Sequence, residues 1–532
     1  MGYVVGNIYV ITAVAVIGGA LFGFDIASMS AILGTQQYKC FFNQTGRNSD
    51  GDCGGPTAST QGGISAAMPG GSFVGALISG FVTDYLGRKR AIQTGSIIWC
   101  IGSAIVCSSF SIGQLVAGRF INGLSVGILS AQVPVYVAEL AQPSKRGQVV
   151  GAQQWAITWG ILIMFYISYG SSFLTGPAAW RLPWGLQMVP AVFLFFMFFL
   201  LPESPRWLAK HDRWEEAHEV LALVHAKGDT SAPFVLTELQ EIRDMVEFER
   251  QNVDASYLEL FKGHMIYRTH IGMFTQIWSQ LTGMNVMMLY ITYVFGMAGL
   301  SGNANLVASS IQYVINVVMT VFALLFIDRW GRRTPLTGGL DSDDDLHVCQ
   351  WGYHEVPAGP GGLNNVAEES WDLSAAPGAA KGVIACTYLF VASYAPTWGP
   401  VSWIYPPELF PLRLRGKAVA LSTASNWIFN FALSYFVPPA FENIKWKTYL
   451  VFGVFCFAMT IHVYFCFPET AGKTLEEVET MFTTPGMRPW KTSVQFQHVR
   501  QLEQGAVQSE KLAHLQTETA GEKRGPAVTQ VD

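Results

Sequence analysis

The chain has 532 residues and a mean hydropathy of +0.29, which excludes an ordinary soluble protein. Hydrophobic residues make up 50% of it and charged residues only 13%, against roughly 25% charged residues in soluble domains. The net charge of −5 says little about partners, because in a membrane protein the position of each Lys and Arg matters more than their sum.

Apolar runs of about 20 residues, long enough for a helix to cross a hydrocarbon core of roughly 30 Å, recur along the whole chain. Eleven such runs lie near residues 8–33, 62–84, 91–110, 112–140, 148–171, 184–201, 270–297, 305–327, 382–405, 416–438 and 448–467. The first run has no convincing cleavage site after it and is interpreted as a retained span. The sequence therefore predicts an all-α membrane protein.

The runs fall into two groups separated by a polar stretch. We predict an N-terminal six-helix half over residues 1–201, a linker of short amphipathic helices over 202–268, a C-terminal half over 269–480 and a disordered tail over 481–532.

A basic turn occurs once in each group, between two apolar runs. The first copy runs from Asp84 to Arg90 and the second from Asp328 to Arg333. Repetition at equivalent places is typical of transporters built from two related halves. If the spans alternate, both turns and the linker share one side, which the positive-inside rule makes cytoplasmic together with the N-terminus.

The loop on the opposite side contains two cysteines, Cys40 and Cys53, and the glycosylation signal at Asn43. In an oxidising compartment the cysteines can pair, but two free thiols explain the sequence equally well. The signal at Asn43 is short and common, so it supports the topology only weakly.

Eight patterns, including the two basic turns, occur in order between residues 8 and 480. They are Phe22 to Asp25, Asp84 to Arg90, Pro134 to Glu139 with Arg146-Gly147, Pro202 to Arg206, Gln280 to Asn285, Asp328 to Arg333, Pro407-Glu408 with Arg415-Gly416, and Pro468 to Thr470. In this set the chain resembles the sugar porters of the major facilitator superfamily, and among them the fungal monosaccharide transporters. The resemblance implies the major facilitator fold, with two pseudo-symmetric six-helix halves, in a monomeric, multi-pass plasma-membrane protein with both termini in the cytoplasm.

Acidic and basic residues at the cytoplasmic helix ends are candidates for a gate. Ion pairs among them strengthen when water is excluded and weaken when the mouth opens, so they can bias a two-state equilibrium. The candidates are Asp84, Arg88, Glu139, Arg146, Glu203 and Arg206 in the first half, matched by Asp328, Arg332, Glu408, Arg415 and Glu469 in the second. We expect the two sets to meet across the halves. The alternative is that these residues only keep the loops hydrated.

Two ionisable residues lie inside predicted spans, Asp25 in the first and Arg119 in the fourth. Each costs roughly 2.5–3.5 kcal/mol on insertion scales, so each needs a partner or a purpose. In a symporter the carboxylate would pair with the arginine when ionised and release it when protonated. Proton-coupled sugar porters carry Asp at this place, so the resemblance implies proton symport; a purely structural pair is the alternative.

A sugar site needs groups that both donate and accept hydrogen bonds, and an aromatic face for the C–H side of the ring. The spans supply such groups at positions that match sugar-contacting positions of the resembled family: Gln154, Gln280, Asn285, Asn316, Trp403 and Asn426. A lone amide in a span more often joins helices. The chain departs from the family at Ser279, where members often carry Gln, and at Ile161, where some members do, and this leaves the preferred sugar open.

The sequence therefore predicts import of a hexose or related monosaccharide by alternating access, with the sugar, a proton and the lipid bilayer as partners. We see no catalytic constellation, metal ligand set, cofactor motif or nucleic-acid signature. A sugar-sensing receptor, a facilitative uniporter, and a carrier of polyols or quinate-like acids are alternatives. So is an inactive transporter, because of the segment that follows Arg333.

The resembled family has a ninth helix after Arg333, but this chain has an acidic segment there, from Gly338 to Glu355, that cannot span a bilayer. As written, the ninth helix is missing or corrupted, with a polar segment over 337–380 in its place. Omitting one crossing would also put Arg413, Arg415 and Lys417 outside the cell.

Reading the codons of Asp343 to Glu355 one nucleotide later gives no Lys, Arg or Glu, whichever synonymous codons are used, and allows an apolar segment. We hypothesise that a frameshift or a mis-set exon boundary replaced the ninth helix across residues 337–358. Sequencing the transcript is expected to reveal an apolar run in another frame. If no frame yields one, the segment is a natural external loop.

Overall fold

The computed structural model describes residues 5–47, 51–142, 146–251, 257–300, 302–337, 359–360, 371–372, 377–471, 473, 475–483 and 488–492. The first half contains α1 (Ile8–Ala15), α2 (Ile17–Leu33), α3 (Gln36–Phe41), α4 (Ala58–Leu86), α5 (Arg88–Cys107), α6 (Ile112–Leu140), α7 (Arg146–Ser171), α8 (Ala178–Leu186) and α9 (Met188–Met197). The predicted linker contains α10 (Pro205–Lys210), α11 (Trp214–His225), α12 (Pro233–Gln251) and a 3-10 turn (Tyr257–Phe261).

The second half contains α13 (Met265–Leu281), α14 (Met284–Met297), α15 (Gly302–Trp330), α16 (Pro377–Tyr394), α17 (Trp398–Leu409), α18 (Leu412–Asn443) and α19 (Lys447–Cys466). It is followed by α20 (Leu475–Thr483) and a 3-10 turn (Pro489–Lys491). Strands β1 (Gly359–Pro360) and β2 (Trp371–Asp372) form a two-residue antiparallel pair. Apart from this short pair, the described elements form a helical bundle, as the sequence predicts.

Within the described residues, eight helical segments are long and apolar enough to cross a membrane. They are Ile8–Leu33, Ala58–Leu86, Arg88–Cys107, Ile112–Leu140, Gly147–Ser171, Gly302–Ile327, Pro377–Leu409 and Lys447–Cys466. The other three predicted spans are also helical: 184–201 corresponds to α8 and α9, 270–297 to α13 and α14, and 416–438 to α18.

Several of these spans are broken helices, which the hydrophobic pattern did not predict. Gly283 separates α13 from α14 with φ +84°, a left-handed conformation that glycine adopts readily. Proline has no N–H to donate to the preceding turn. Pro190 follows the break after α8, and Pro396 lies in the break after α16. Such breaks free backbone groups in the interior of the bundle.

Helices α4 and α6 approach each other closely because glycines line their contact. A Cβ atom built on Gly123 would lie 2.0 Å from the Met68 carbonyl oxygen, and one on Gly127 would lie 2.2 Å from the Ser72 carbonyl oxygen. Lipid gives helices little hydrophobic reason to associate, so close backbone packing of this kind is a main source of attraction. The glycines therefore fix the shape of the first half.

The ninth helix is predicted to be lost across residues 337–358, and of these, residues 338–358 lie outside the described residues. The chain on either side of them is described. Tyr388 of α16 donates its hydroxyl to the Ala308 carbonyl near the start of α15, 2.8 Å away, whereas Arg332 follows the end of α15. At 1.5 Å per residue, Ala308 and Trp330 are roughly 33 Å apart along that helix.

Residues 333–337 are helical and directly follow Arg332, which pairs with Glu408 at one end of the bundle. Helix α16 begins at the other end. Arg415, close to Glu408 in sequence, lies at the same end as Arg332. The inversion that an omitted crossing would cause is therefore not present, because the described elements on either side of residues 338–358 lie at opposite ends of the bundle.

Replacing Gly123 by Ala is expected to destabilise the protein by roughly 1–3 kcal/mol, the usual cost of overpacking. Gly113→Ala in the same helix is the matched control, since a Cβ there meets nothing within 4 Å. Thermal unfolding of the two variants in detergent measures the difference. Equal Tm values would show that the α4–α6 contact relaxes without cost.

Candidate functional site

A cavity lies between the two halves, about midway along the helices. All six predicted sugar-site residues line it: Gln154, Gln280, Asn285, Asn316, Trp403 and Asn426. Gln154 comes from α7 of the first half, and the others come from α13, α14, α15, α17 and α18 of the second. The structure thus brings together residues that are up to 272 positions apart in sequence (426 − 154).

The amides on the second-half wall hydrogen-bond to one another. Gln280 donates from Nε2 to Oδ1 of Asn426 at 2.7 Å, and its Oε1 accepts from Nδ2 of Asn285 at 2.8 Å. Its Oε1 also accepts from Nδ2 of Asn430 at 3.0 Å. Gln280 is buried and stands at the centre of this amide network.

The first-half wall is mainly apolar. Phe22 and Ile26 of α2 and Ile157 and Ile161 of α7 face the cavity. The rings of Phe22 and Trp427 pack edge to face with their centroids 4.8 Å apart, and Trp427 is fully buried. The cavity therefore has one hydrogen-bonding wall and one apolar wall.

Sequence reasoning missed several polar residues of this region, among them Ser402, which lines the cavity. Ser279, noted only as a departure from the resembled family, lies 2.8 Å from the Tyr394 hydroxyl, and both line the cavity. Asn430 supports Gln280 from behind. The spacing of Asn426, Asn430 and Ser434, four residues apart in α18, puts them on one helix face and could have revealed Asn430.

Asp25 and Arg119 form a buried, two-pronged ion pair. Arg119 donates from Nη1 and Nη2 to the Asp25 carboxylate at 3.2 and 2.9 Å, and from Nε to the Ile64 carbonyl at 2.9 Å. Both side chains are at most 4% exposed. A pair this deep is stable only while each charge keeps its partner.

The basic turn of the first half is built around two carboxylates. Arg88 donates to both oxygens of Glu139, at 3.1 and 3.0 Å, and Ser204 donates its hydroxyl to Glu139. Glu203 accepts the backbone N–H groups of Arg88 and Lys89 at the start of α5, at 3.0 and 3.1 Å. An acidic side chain at a helix start satisfies otherwise unpaired N–H groups.

The second half repeats this arrangement. Arg332 pairs with Glu408 at 2.8 Å, Thr470 donates to Glu408 at 2.7 Å, and Glu469 accepts the backbone N–H of Arg332 at 2.8 Å. Tyr405 donates to the Pro468 carbonyl just as Tyr136 donates to the Pro202 carbonyl. We call the end of the bundle that carries both clusters the charged end.

Each of these ion pairs joins elements of one half. None of them is a predicted contact between the charged residues of the first half and those of the second. Arg206 lies 3.9 Å from Glu238 of α12, and Arg415 donates to the Phe410 carbonyl at 3.2 Å. The Asp84 side chain is exposed. The side chains of Arg146 and Asp328 lie outside the described residues.

Glu203 lies in the loop between α9 and α10 and is largely buried. Burial raises the pKa of its carboxyl group, while backbone hydrogen bonds from Ser204 and Lys89 oppose that shift. These bonds stabilise the charged form and tie α5 to the start of α10.

The opposite end carries a disulfide between Cys40 and Cys53, and we call it the disulfide end. Asn43 is exposed there, and its Oδ1 accepts hydrogen bonds from the N–H groups of Thr45 and Gly46 at 3.2 and 3.1 Å. Glycosylation of Asn43 remains a prediction.

Towards the disulfide end, hydrogen bonds join the two halves. The Ser30 and Tyr313 hydroxyls lie 3.0 Å apart, and Thr292 donates to the Ser30 carbonyl at 3.1 Å.

Within the described part of the chain, no group of three His, Cys, Asp or Glu residues could hold a metal ion.

Comparison with known families decides the identity of the fold. The sequence profile described as "Sugar (and other) transporter" matches residues 11–482. The chain belongs to this family. The sugar transporter family lies within the major facilitator superfamily, and the chain is accordingly a multi-pass membrane protein.

Curated relatives match along nearly the whole chain. Identity is 46% to the high-affinity glucose transporter of Kluyveromyces lactis, over 92% of this chain and 87% of that one. It is 43% to the MFS glucose transporter mfs1 of Aspergillus flavus, over 99% and 98%. These relatives are named as transporters and not as enzymes.

Among solved structures, the proton:xylose symporter XylE bound to 6-bromo-6-deoxy-D-glucose matches with a TM-score of 0.73 and 26% identity. The match covers 90% of this chain and 99% of that one. The two-half fold of this sugar transporter family member is therefore that of the sugar porters.

Proposed function

We propose that the chain carries a hexose or related monosaccharide across the plasma membrane by alternating access, coupled to protons. The observation that carries the proposal is the convergence of Gln154, Gln280, Asn285, Asn316, Trp403 and Asn426 on one cavity between the halves. The charged end is assigned to the cytoplasm, with both termini on that side.

The two walls of the cavity suit the two sides of a sugar. Amides donate and accept hydrogen bonds, as hydroxyls do. A bound sugar can therefore hydrogen-bond to Gln280, Asn285 and Asn426 in place of the bonds that these amides make to one another. The apolar wall at Phe22 and Ile157 suits the C–H face of the ring. Relatives named as glucose transporters support a hexose as the substrate.

Proton coupling is assigned to the Asp25–Arg119 pair. An ionised Asp25 holds Arg119 through two hydrogen bonds, whereas a protonated one no longer offsets the guanidinium charge. Proton uptake therefore changes the packing of α2 against α6, beside the apolar wall of the cavity. The similarity to a proton:xylose symporter supports this assignment.

Alternation requires contacts between the halves that can break and re-form. Ser30, Thr292 and Tyr313 supply neutral hydrogen bonds near the disulfide end, each worth about 1 kcal/mol. The carboxylate clusters stabilise the ends of single halves, so each half can move as one body. Weak contacts between rigid halves suit a two-state equilibrium.

Radiolabelled glucose uptake in a host that lacks hexose transporters tests the proposal. Accumulation against the gradient is expected, with competition by other hexoses and loss on adding an uncoupler. Asp25→Asn should abolish uphill uptake but retain exchange of sugar for sugar. Uphill, pH-dependent uptake that survives in Asp25→Asn would overturn the proton assignment alone.

Gln280→Ala should raise KM for sugar roughly 5- to 150-fold, because it removes an acceptor and a donor from the cavity wall, a loss of about 1–3 kcal/mol. Gln93→Ala is the matched control: Gln93 is also an amide of a membrane helix, bonded to the Phe195 carbonyl away from the cavity. A Gln280→Ala protein with wild-type KM would contradict the sugar site.

A further inference from the structure

A tryptophan and a histidine on two facing helices are joined by a short hydrogen bond. Nε1 of Trp278, in the last turn of α13, donates to Nδ1 of His462 in α19 at 2.7 Å. Trp278 is 9% exposed and His462 is half-buried. An indole N–H can only donate a hydrogen bond, so Nδ1 of His462 must accept it. His462 is therefore neutral in this structure, with its proton on Nε2.

Aromatic rings surround this pair. His270 and Phe274 precede Trp278 by eight and four residues on α13, and residues four apart share a helix face. The centroid of the His462 ring lies 4.9 Å from those of both His270 and Phe274, and 5.5 Å from that of Phe467. None of these rings supplies a negative charge to a protonated imidazole.

The elements around His462 carry neutral and positive groups. Helices α13 and α18 and the 3-10 turn after α20 pack against α19. The described titratable side chains near the charged end of these four elements, or bonded to α19, are Tyr267, Arg268, His270, Arg415, Lys417, Tyr464, Cys466, Lys491 and Arg333. The only carboxylate in the sequence of these elements is Glu442, near the far end of α18. Glu469, which follows α19, accepts the backbone N–H groups of Arg332 and Arg333. A positive charge on His462 thus has no carboxylate partner on these elements.

His462 lies close to the charged end of the bundle. It is four residues, or about 6 Å, from the end of α19 at Cys466. The Cys466 carbonyl accepts the Tyr267 hydroxyl at 2.7 Å, which fixes the start of α13 against the end of α19. The half-buried imidazole can therefore exchange a proton with the side that the charged end faces, which the proposed function assigns to the cytoplasm.

We propose that His462 and Trp278 form a switch through which acidity at the charged end lowers the affinity of the cavity for sugar. The inference rests on the proposed sugar transport and adds a means of regulating it. Trp278 is a positioning residue, because it directly precedes Ser279 and Gln280, which line the cavity.

Protonation of His462 replaces a hydrogen bond by two opposed donors. A charged imidazole carries N–H groups on both nitrogens, so Nδ1 would direct a hydrogen at the Trp278 N–H, only 2.7 Å away. The buried N–H of Trp278 then has lost its acceptor, and leaving such a group unsatisfied is unfavourable. Trp278 must move, and the last turn of α13 moves with it.

The last turn of α13 ends at a break in the backbone and carries part of the cavity wall. Gly283, with φ +84°, separates this turn from α14. The Ser279 hydroxyl lies 2.8 Å from that of Tyr394, and Gln280 is the centre of the amide network. A shift of Trp278 therefore disturbs the groups that would bind a sugar.

The experiment measures the affinity for radiolabelled glucose in inside-out vesicles, which expose the charged end. Measurements at about pH 7.5 and about pH 5.5 bracket the usual titration of histidine. His462→Gln keeps a side-chain oxygen that can accept from Trp278 but does not titrate. The wild type and His462→Gln should bind glucose equally at the higher pH. At the lower pH, His462→Gln should bind roughly fivefold or more tightly than the wild type, since coupling between sites is usually at least of that size. Any effect of Asp25 is common to both proteins.

His211→Gln is the matched control. The His211 ring also packs on a tryptophan, with its centroid 4.2 Å from that of Trp207, and its Nδ1 lies 3.0 Å from the Trp207 carbonyl. It follows α10 in the linker, so its substitution removes a titratable histidine without changing α13 or α19. His211→Gln should follow the wild type at both pH values.

The outcomes separate the hypotheses. If the wild type and His462→Gln bind glucose equally at the lower pH, or if His211→Gln gains affinity as His462→Gln does, the switch is overturned while sugar transport stands. If the wild type binds no glucose at either pH, the proposed function fails and the switch fails with it. If His462→Gln does not fold, Trp278→Phe removes the opposed N–H, and the same loss of acid sensitivity is expected.

Discussion

The absence of water from the hydrocarbon core is the constraint on which this structure depends. A buried amide, hydroxyl or charge there must find its partner within the protein, because an unsatisfied group costs several kcal/mol. The Asp25–Arg119 pair and the amide network around Gln280 are two answers to that requirement. Both are also poised for function, since partners held by hydrogen bonds can be exchanged for a sugar hydroxyl or released by a proton.

The two charged clusters show what duplication preserves. Arg88 with Glu139, Ser204 and Glu203 matches Arg332 with Glu408, Thr470 and Glu469, contact for contact. In each half a carboxylate binds the arginine and a second one accepts backbone N–H groups after the basic turn. The clusters hold each half together, whereas the hydrogen bonds described between the halves, such as that of Ser30 with Tyr313, join neutral groups. The cavity itself has lost this symmetry, because its hydrogen-bonding wall comes almost wholly from the second half.

The segment after Thr337 illustrates how a local sequence feature and the global fold can disagree. Its acidic residues argue against a membrane helix, yet the elements before and after it lie at opposite ends of the bundle. Within the described residues, α16 is held by contacts such as the hydrogen bond of Tyr388 to α15. In this packing Glu408 and Arg415 lie at the charged end.

Composition and hydrophobic runs determined that this is a helical membrane protein, and residue type with position in the family motifs identified six residues that meet in one cavity. Those inferences succeed because apolar length and the chemistry of an amide are local properties. Only the tertiary structure decided the partners: that Gln280 binds Asn430, that Arg88 binds Glu139 within its own half, and that Tyr290 donates to the Ser434 carbonyl of α18. The broken helices at Gly283 and Gln187 also emerged only from the fold. Partner choice depends on distances between residues far apart in sequence, and hydropathy carries no information about those distances.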